Sequence, residues 1–227
     1  MSSRTRVFAT SVGTKLLIGM TGLALFLYLL IHIAGNAVIF FGPTTFNQYA
    51  HALMSNPLVP VIEIGLVLIF LTHAYKTVTM FLGNRQARPV AYAMKKSAGA
   101  PSRKTFASTT MILSGRWLLV FIVVHVKAFK YGPEYESADG VRDLYRLEME
   151  NFRSPLTIGF YVLSLLVVGS HLWHGAASTF QSLGLNHPRW TPRILKGARV
   201  LAVAIAGGFI VIALWAHFTQ GAGQVGQ

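Results

Sequence analysis

The 227-residue chain contains no cysteine, and this absence excludes several kinds of site. Without thiols the chain forms no disulfide, attaches no c-type haem covalently and ligates no iron–sulfur cluster of its own. Charge is also scarce, because charged residues make up 12% of the chain and only seven residues are Asp or Glu. With 53% hydrophobic residues, this balance is typical of a polytopic membrane protein and not of a soluble domain.

Long apolar stretches are what the sequence does contain. Five of them can each cross a hydrocarbon core about 30 Å thick, which takes a helix of roughly 20 residues. They cover residues 16–41, 58–82, 109–129, 155–180 and 197–218. Since lipid offers no water to backbone groups, these stretches must be helical. We therefore predict an all-α fold, a single membrane domain over residues 1–227 with five helices in an antiparallel bundle.

Basic residues are distributed unevenly among the connecting segments. Residues 1–15, 83–108 and 182–199 together carry thirteen Lys or Arg and no acid, whereas 127–154 carries six of the seven acids. The positive-inside rule then predicts a cytoplasmic N-terminus and an outer C-terminus in the cell's cytoplasmic membrane. The basic face either sets this topology and attracts anionic lipid or docks an acidic cytoplasmic partner, and both can hold. No nucleic-acid partner is expected.

The connection between the first two spans, residues 42–57, is predicted to form a short amphipathic helix along the outer interface. Its start is expected at a capping box, Thr45-x-x-Gln48. Phe46, Tyr49, Ala50 and Leu53 recur at helical spacing and form its apolar stripe. His51 in the same segment is expected to pack at the surface.

Four of the eight histidines fall one in each of the first four spans: His32, His73, His125 and His171. At about 1.5 Å per helical residue, His73 and His171 lie roughly 12–14 Å from the cytoplasmic edge, and His32 and His125 lie roughly 24 Å from it. The spans therefore contain two depth-matched pairs. An ionisable residue inside a membrane span indicates a functional site, so these pairs are the first candidates.

A repeat supports the pairing. The stretches "TGLALFLYLLIH" (21–32) and "SGRWLLVFIVVH" (114–125) each run small hydroxyl, Gly, nine mostly apolar residues, His. Two neutral imidazoles at one depth, with Gly thinning the helix beside them, provide the two axial nitrogens and the slot that a flat macrocycle needs. We therefore predict two b-type haems, an outer one between His32 and His125 and an inner one between His73 and His171.

Other polar residues in the spans have more than one interpretation. His174 competes with His171 for the iron; depth favours His171, which leaves His174 to contact a haem propionate or the ring edge. Lys76 and Arg116 either snorkel to the cytoplasmic interface or neutralise haem propionates. Glu63, near the outer end of the second span, either reaches the interface or exchanges protons at a quinone site.

Together these residues resemble a known family. The motifs "FLYLLIHIAGN", "FNQYAHAL", "FLTHAYKTV", "SGRWLLVFIVVHV" and "GFYVLSLLVVGSHLWHGAASTFQSLGLNHPRWTP" are similar to the five-helix, di-haem cytochrome b subunit of succinate dehydrogenase and fumarate reductase. In that family the axial histidine of the fourth helix precedes a Gly by four residues, which matches His171 and Gly175. Some members have a glutamate just before this histidine, in a proton path; Gly169 and Ser170 stand there in this chain.

The resemblance implies a membrane anchor that conducts electrons and has no catalytic residue of its own. A flavoprotein and an iron–sulfur protein on the cytoplasmic face would perform the succinate/fumarate chemistry, and the two haems would pass electrons to a quinone, usually menaquinone. Two other functions stay open: a b-type subunit of a hydrogenase or formate dehydrogenase, and a haem-free transporter or assembly factor whose histidines line a proton path.

Overall fold

The computed structural model of the protein describes residues 10–87, 90, 105–185 and 187–222. Its helices in chain order are α1 (Ser11–Asn36), α2 (Pro43–Met54), α3 (Val59–Gln86), α4 (Phe106–Thr109), α5 (Met111–Phe129), α6 (Leu144–Arg153), α7 (Pro155–Ser182) and α8 (Thr191–Ala222). A 3₁₀ segment, Ala37–Phe41, continues α1. No β-strand occurs in these described ranges, so the predicted all-α fold is confirmed.

Five helices are long and apolar enough to cross a membrane: α1 with its 3₁₀ extension, α3, α5, α7 and α8. Many of their apolar side chains stay exposed in the protein; on α3, for example, Val61, Ile64 and Leu68 are each at least 60% exposed. Water would penalise such surfaces, whereas lipid tails accept them. The helices therefore indicate a multi-pass membrane protein.

Two helices begin at other residues than expected, because a proline or a glycine fixes the backbone at their starts. The last helix starts at Thr191, six residues before the expected 197, because Pro192 is favoured in a first helical turn. The capping box predicted at Thr45 and Gln48 is wrong: α2 starts at Pro43, behind Gly42, and no side chain caps it. Gly42 has a φ of +94°, a conformation that L side chains rarely adopt, so the chain turns there instead.

The chain packs as two compact units. Unit 1 comprises Met1–Leu27, Leu66–Arg116 and Ser170–Ala202, and unit 2 comprises Tyr28–Gly65, Trp117–Gly169 and Val203–Gln227. Each of the five long helices contributes residues to both units. His73 and His171 belong to unit 1, and His32 and His125 belong to unit 2.

The short helices α2 and α6 of unit 2 are tied together by one buried amide, that of Asn47. Its Nδ2 donates to Asp143 Oδ1 at 2.8 Å, and its Oδ1 accepts from the Tyr145 N–H at 2.9 Å. On α2 itself, Phe46 and Ala50 are buried, whereas Tyr49 is 39% and Leu53 51% exposed. The predicted helix is therefore present, and its apolar stripe is divided between buried and exposed side chains.

Candidate functional site

Unit 2 brings His32 of α1 and His125 of α5 together. Their ring centres are 5.9 Å apart and their planes are nearly perpendicular, at 87°. An imidazole nitrogen binds a first-row metal at about 2 Å, so two imidazoles on opposite sides of one iron have ring centres about 6 Å apart. Each ring plane contains its own metal–nitrogen axis and can rotate about it, so perpendicular planes are compatible with this arrangement.

Aromatic side chains surround this histidine pair. Tyr28 stacks on His32 at 5.3 Å and 15°, and Phe209 lies 5.4 Å from the same ring. On the other side, Phe121 and Phe129 lie 5.7 and 5.1 Å from the His125 ring. The shell makes the surroundings apolar, and such surroundings tune the potential of a metal by limiting solvent access.

The Nδ1 atoms of His32 and His125 have only distant polar neighbours. Tyr161, which is 4% exposed, places its hydroxyl 3.5 Å from His125 Nδ1. Asn36 Nδ2 donates to the His32 carbonyl at 2.8 Å and lies 3.3 Å from His32 Nδ1. Contacts of 3.3–3.5 Å are long for hydrogen bonds, so neither ring is strongly oriented by them.

Unit 1 contains the second pair, and its histidines have close hydroxyl partners. Thr21 Oγ1 lies 3.1 Å from Nδ1 of His73, and Ser114 Oγ lies 2.9 Å from Nδ1 of His171. His73 and His171 also lie close enough to each other to interact electrostatically. Both hydroxyls belong to the repeat noted in the sequence, where they begin the segments that end at His32 and His125.

The glycines of the repeat lie against the unit 1 histidines. A Cβ at Gly22 would be 3.1 Å from Cε1 of His73, and a Cβ at Gly115 would be 3.9 Å from Cε1 of His171. Gly22 therefore leaves a place for the ring that alanine would crowd, whereas Gly115 is less tightly packed.

These features fit the predicted haems. Each pair offers two imidazoles, which are the axial ligands that a b-type haem takes, and the glycines provide close approach at the unit 1 pair. Within the described ranges, no group of three or more His, Asp or Glu is placed to hold a bare metal ion. A haem iron needs only two protein ligands, so this finding bears on other metal sites and not on the haems.

His174 also lies close enough to His171 to interact electrostatically. It lines a small pocket together with Trp173, Ser178 and Gln181 of α7 and Arg199 of α8. The Arg199 guanidinium lies 5.3 Å from the centre of the Trp173 ring, which is a cation–π geometry. Sequence reasoning missed Arg199, because no spacing relates it to α7.

The two intramembrane cations proposed as propionate partners have other surroundings. Arg116 is exposed, and Lys76 is half-buried with its Nζ 6.0 Å from the Tyr75 ring. In the part of the chain that the structure describes, neither forms an ion pair. Their roles at a haem stay predictions.

Glu63 forms an ion pair with Lys130 at the surface of unit 2, where the two side chains are 45% and 44% exposed. It is also within electrostatic reach of Tyr28, the ring that stacks on His32.

Glu148 on α6 is the functional candidate that sequence reasoning missed. Its side chain is only 7% exposed, and burial raises the pKa of its carboxyl from 4.5 to about 8. Glu148 lies within electrostatic range of Tyr145 and of Tyr161, the residue beside His125. Its signal in the sequence is its position four residues from both Leu144 and Phe152, on the apolar stripe of an amphipathic helix.

Two further histidines have local roles. His51 is exposed on α2, as expected, with Ser55 Oγ 3.5 Å from its Nε2. His217 is fixed by a 2.7 Å hydrogen bond from Nδ1 to the Phe152 carbonyl.

The position where some members of the similar family have a glutamate is closely packed. A Cβ at Gly169 would lie 3.0 Å from the Cβ of Ala206 on α8, so a longer side chain would force α7 and α8 apart.

Much of the predicted membrane orientation depends on basic residues that lie outside the described residues: Arg4, Arg6, Arg88, Lys95, Lys96, Arg103 and Lys104.

No protein-family model, no curated protein and no solved structure matches this chain. The family resemblance seen in the motifs therefore stays a prediction.

Proposed function

We propose that this chain is the membrane anchor of a succinate:quinone oxidoreductase, which relays electrons between a cytoplasmic iron–sulfur subunit and menaquinone through two bis-histidine b haems. The observation that carries the proposal is the arrangement of the four histidines. Each unit contains one pair from different helices, and the unit 2 rings are spaced for one shared iron, 5.9 Å apart.

Bound haem supplies a one-electron carrier, and the chain's own residues do the rest. His73 and His171 would hold one haem, and His32 and His125 the other. The aromatic shell around His32 and His125 excludes water, while Lys76, Arg116 and His174 are the candidates for propionate contacts.

Quinone reduction also consumes protons, and acidic residues on this chain can deliver them. Glu63 is half-exposed and pairs with Lys130, and it lies within electrostatic range of Tyr28 beside His32. A carboxylate linked to both solvent and the histidine environment is suited to proton exchange. We place the quinone near the His32/His125 pair for this reason.

A dithionite-reduced optical spectrum and a haem-to-protein ratio of the purified complex test the proposal. We expect a b-type spectrum with two haems per chain. His32→Ala or His125→Ala should remove one haem, and His73→Ala or His171→Ala the other, while the exposed His51→Ala keeps both. A purified chain without haem, or with one haem, would overturn the proposal.

The partner proteins test the identity of the complex separately from its haems. We expect a flavoprotein and an iron–sulfur protein to co-purify; a hydrogenase or formate dehydrogenase partner would instead assign the chain to that class. In sealed vesicles, an uncoupler should change the rate of electron transfer from succinate to quinone, because one charge crossing the membrane changes its free energy by about 2.3 kcal/mol per 100 mV. A rate indifferent to the uncoupler would exclude this transmembrane route.

A further inference from the structure

We infer that the dipeptides Thr21-Gly22 and Ser114-Gly115 set the tautomer and the orientation of His73 and His171, so that Nδ1 of each ring carries the proton and Nε2 presents its lone pair. These are positioning residues: they lie in the repeat segments that end at His32 and His125, but they contact the histidines of the other pair, His73 and His171. Its geometric part needs no haem; its redox part rests on the proposed function.

The hydroxyl protons are already committed. Thr21 Oγ1 donates to the Leu17 carbonyl at 2.7 Å, and Ser114 Oγ donates to the Met111 carbonyl at 3.0 Å. A hydroxyl has one proton to donate and two lone pairs to accept with, and a carbonyl can only accept. Such bonds from Ser or Thr back to the preceding helical turn are a common local arrangement.

The facing ring nitrogens must therefore be donors for every contact to be satisfied. With a proton on Nδ1, His73 and His171 each donate to a hydroxyl oxygen, at 3.1 and 2.9 Å, while the hydroxyl keeps its bond to the helix. With the proton on Nε2, two acceptors would compete for one hydroxyl proton and one contact would be lost. This network assigns the Nδ1–H tautomer to both rings.

That tautomer is the one a metal ligand requires. An imidazole that binds a metal through Nε2 usually donates its Nδ1–H to a second group, which fixes the ring and makes it a stronger donor to the metal. Gly22 completes the arrangement at His73. A Cβ at this position would lie only 3.1 Å from Cε1 of the ring, so glycine leaves room for the imidazole.

The unit 2 histidines have no comparably close hydroxyl at Nδ1. Asn36 Nδ2, 3.3 Å from His32 Nδ1, is itself a donor and cannot accept a proton from that ring, and the Tyr161 hydroxyl is 3.5 Å from His125 Nδ1. The structure thus provides a close hydroxyl acceptor for each ring of the unit 1 pair and none at that distance for either ring of the unit 2 pair.

The first test measures the tautomer itself. Nitrogen-15 NMR of the reduced complex in lipid bilayers, with labelled imidazoles, should show protonated Nδ1 and unprotonated Nε2 for His73, identified by the signal lost in His73→Gln. We expect Thr21→Val to change the Nδ1 signal and Thr21→Ser to preserve it. A protonated Nε2 in the wild-type protein, or equal spectra for Val and Ser, would overturn the inference. Because the measurement also works without haem, it is separable from the proposed function.

The second test measures the reduction potential of each haem by optical redox titration. Without the hydroxyl that accepts from Nδ1–H, His73 or His171 becomes a weaker electron donor to ferric iron. Thr21→Val and Ser114→Ala should therefore raise the reduction potential of the haem held by His73 and His171 and leave that of the other haem unchanged. Ser114→Thr should keep the wild-type value. Thr79→Val is the matched control, because the exposed Thr79 hydroxyl bonds only within its own helix. Unmoved potentials in both variants, or a shift in the control of equal size, would overturn the inference.

The glycine requirement gives a graded third test. Gly22→Ala places its Cβ 3.1 Å from His73 and should change the spectrum or the potential of that haem, whereas Gly115→Ala, with 3.9 Å to His171, should be tolerated. The reverse order would contradict the packing assigned to the two dipeptides.

Discussion

Replacing Glu148 by Gln should remove a pH dependence of stability that the wild-type protein has between about pH 5 and pH 8. Burial of the carboxyl raises its pKa from 4.5 to about 8, so the native state holds a proton that the unfolded chain has lost in this interval. Stability then falls as pH rises, because the unfolded state binds fewer protons than the native state. Below pH 4.5 both states are protonated, and above pH 8 both are ionised, so the dependence ends on each side.

The size of the effect follows from the two pKa values. Each tenfold difference in proton affinity is about 1.4 kcal/mol, so the whole interval amounts to about 5 kcal/mol, of which roughly 3 to 4 kcal/mol falls between pH 5 and pH 8. For a chain of this length that corresponds to an apparent Tm lower by roughly 10 °C at pH 8 than at pH 5. Glutamine keeps the shape of the side chain and cannot ionise, so the variant should be the more stable protein at pH 8.

The assay is thermal unfolding in one detergent across that pH range, with the wild type and Glu148→Gln compared at each pH. Glu150→Gln on the same helix is the matched control. The Tyr135 hydroxyl at 2.6 Å and Arg146 Nε at 2.8 Å bond to the exposed Glu150 and hold its pKa below the usual range. Its contribution is present at neutral pH and is lost only as the pH falls through that lowered pKa.

Parallel Tm curves for the wild type and Glu148→Gln would refute the reasoning. So would an infrared spectrum of the wild type at pH 7 that lacks the protonated-carboxyl band removed by the substitution. Either result would mean that the carboxyl is ionised in the folded protein and has stabilising partners.

Three further predictions concern side-chain packing and the carboxylate of Glu63. Asn47→Ala should lower the free energy of unfolding by about 2 kcal/mol, since it breaks both hydrogen bonds between α2 and α6; Gln48→Ala, exposed on the same helix, should leave the Tm unchanged. Gly169→Leu should lower the free energy of unfolding by about 1–3 kcal/mol, because the new side chain meets Ala206 of α8. Gly159→Leu is the control, since a Cβ at Gly159 meets nothing within 4 Å, and it should not destabilise the protein. Equal Tm values for the two variants would exclude close packing at Gly169. Glu63→Gln removes an exposed ion pair worth less than about 1 kcal/mol, yet should slow quinone reduction at least about tenfold if Glu63 exchanges protons; normal turnover would remove that role.

The sequence was sufficient for those features that depend on composition along one helix. Hydropathy located the five apolar helices, because a membrane span leaves a continuous signal of about 20 residues. The depth of each histidine could also be calculated, because it depends only on the helical rise and on the number of residues to the end of its own span. Helix ends depended on single residues such as Pro192 and Gly42, and they were predicted less well.

Contacts between distant parts of the chain could not be predicted in this way. Asn47 bonds to Asp143 across 96 positions, and Glu63 pairs with Lys130 across 67. Periodicity shows that a helix has a buried face but does not say which partner covers it. The repeat is the intermediate case: it contains Thr21 and Ser114 as its small hydroxyl residues, but only the packing shows that these hydroxyls face His73 and His171.

The distribution of acids distinguishes the two histidine pairs chemically. All seven Asp and Glu residues belong to the sequence ranges of unit 2, and unit 1 has none. In unit 2, Tyr28 beside His32 interacts with Glu63, and Tyr161 beside His125 interacts with Glu148. In unit 1, the corresponding neighbours are aliphatic hydroxyls, which do not ionise near neutral pH. The carboxyl side chains of this chain therefore belong to the unit that contains His32 and His125, and under the proposed function we expect proton exchange near that pair.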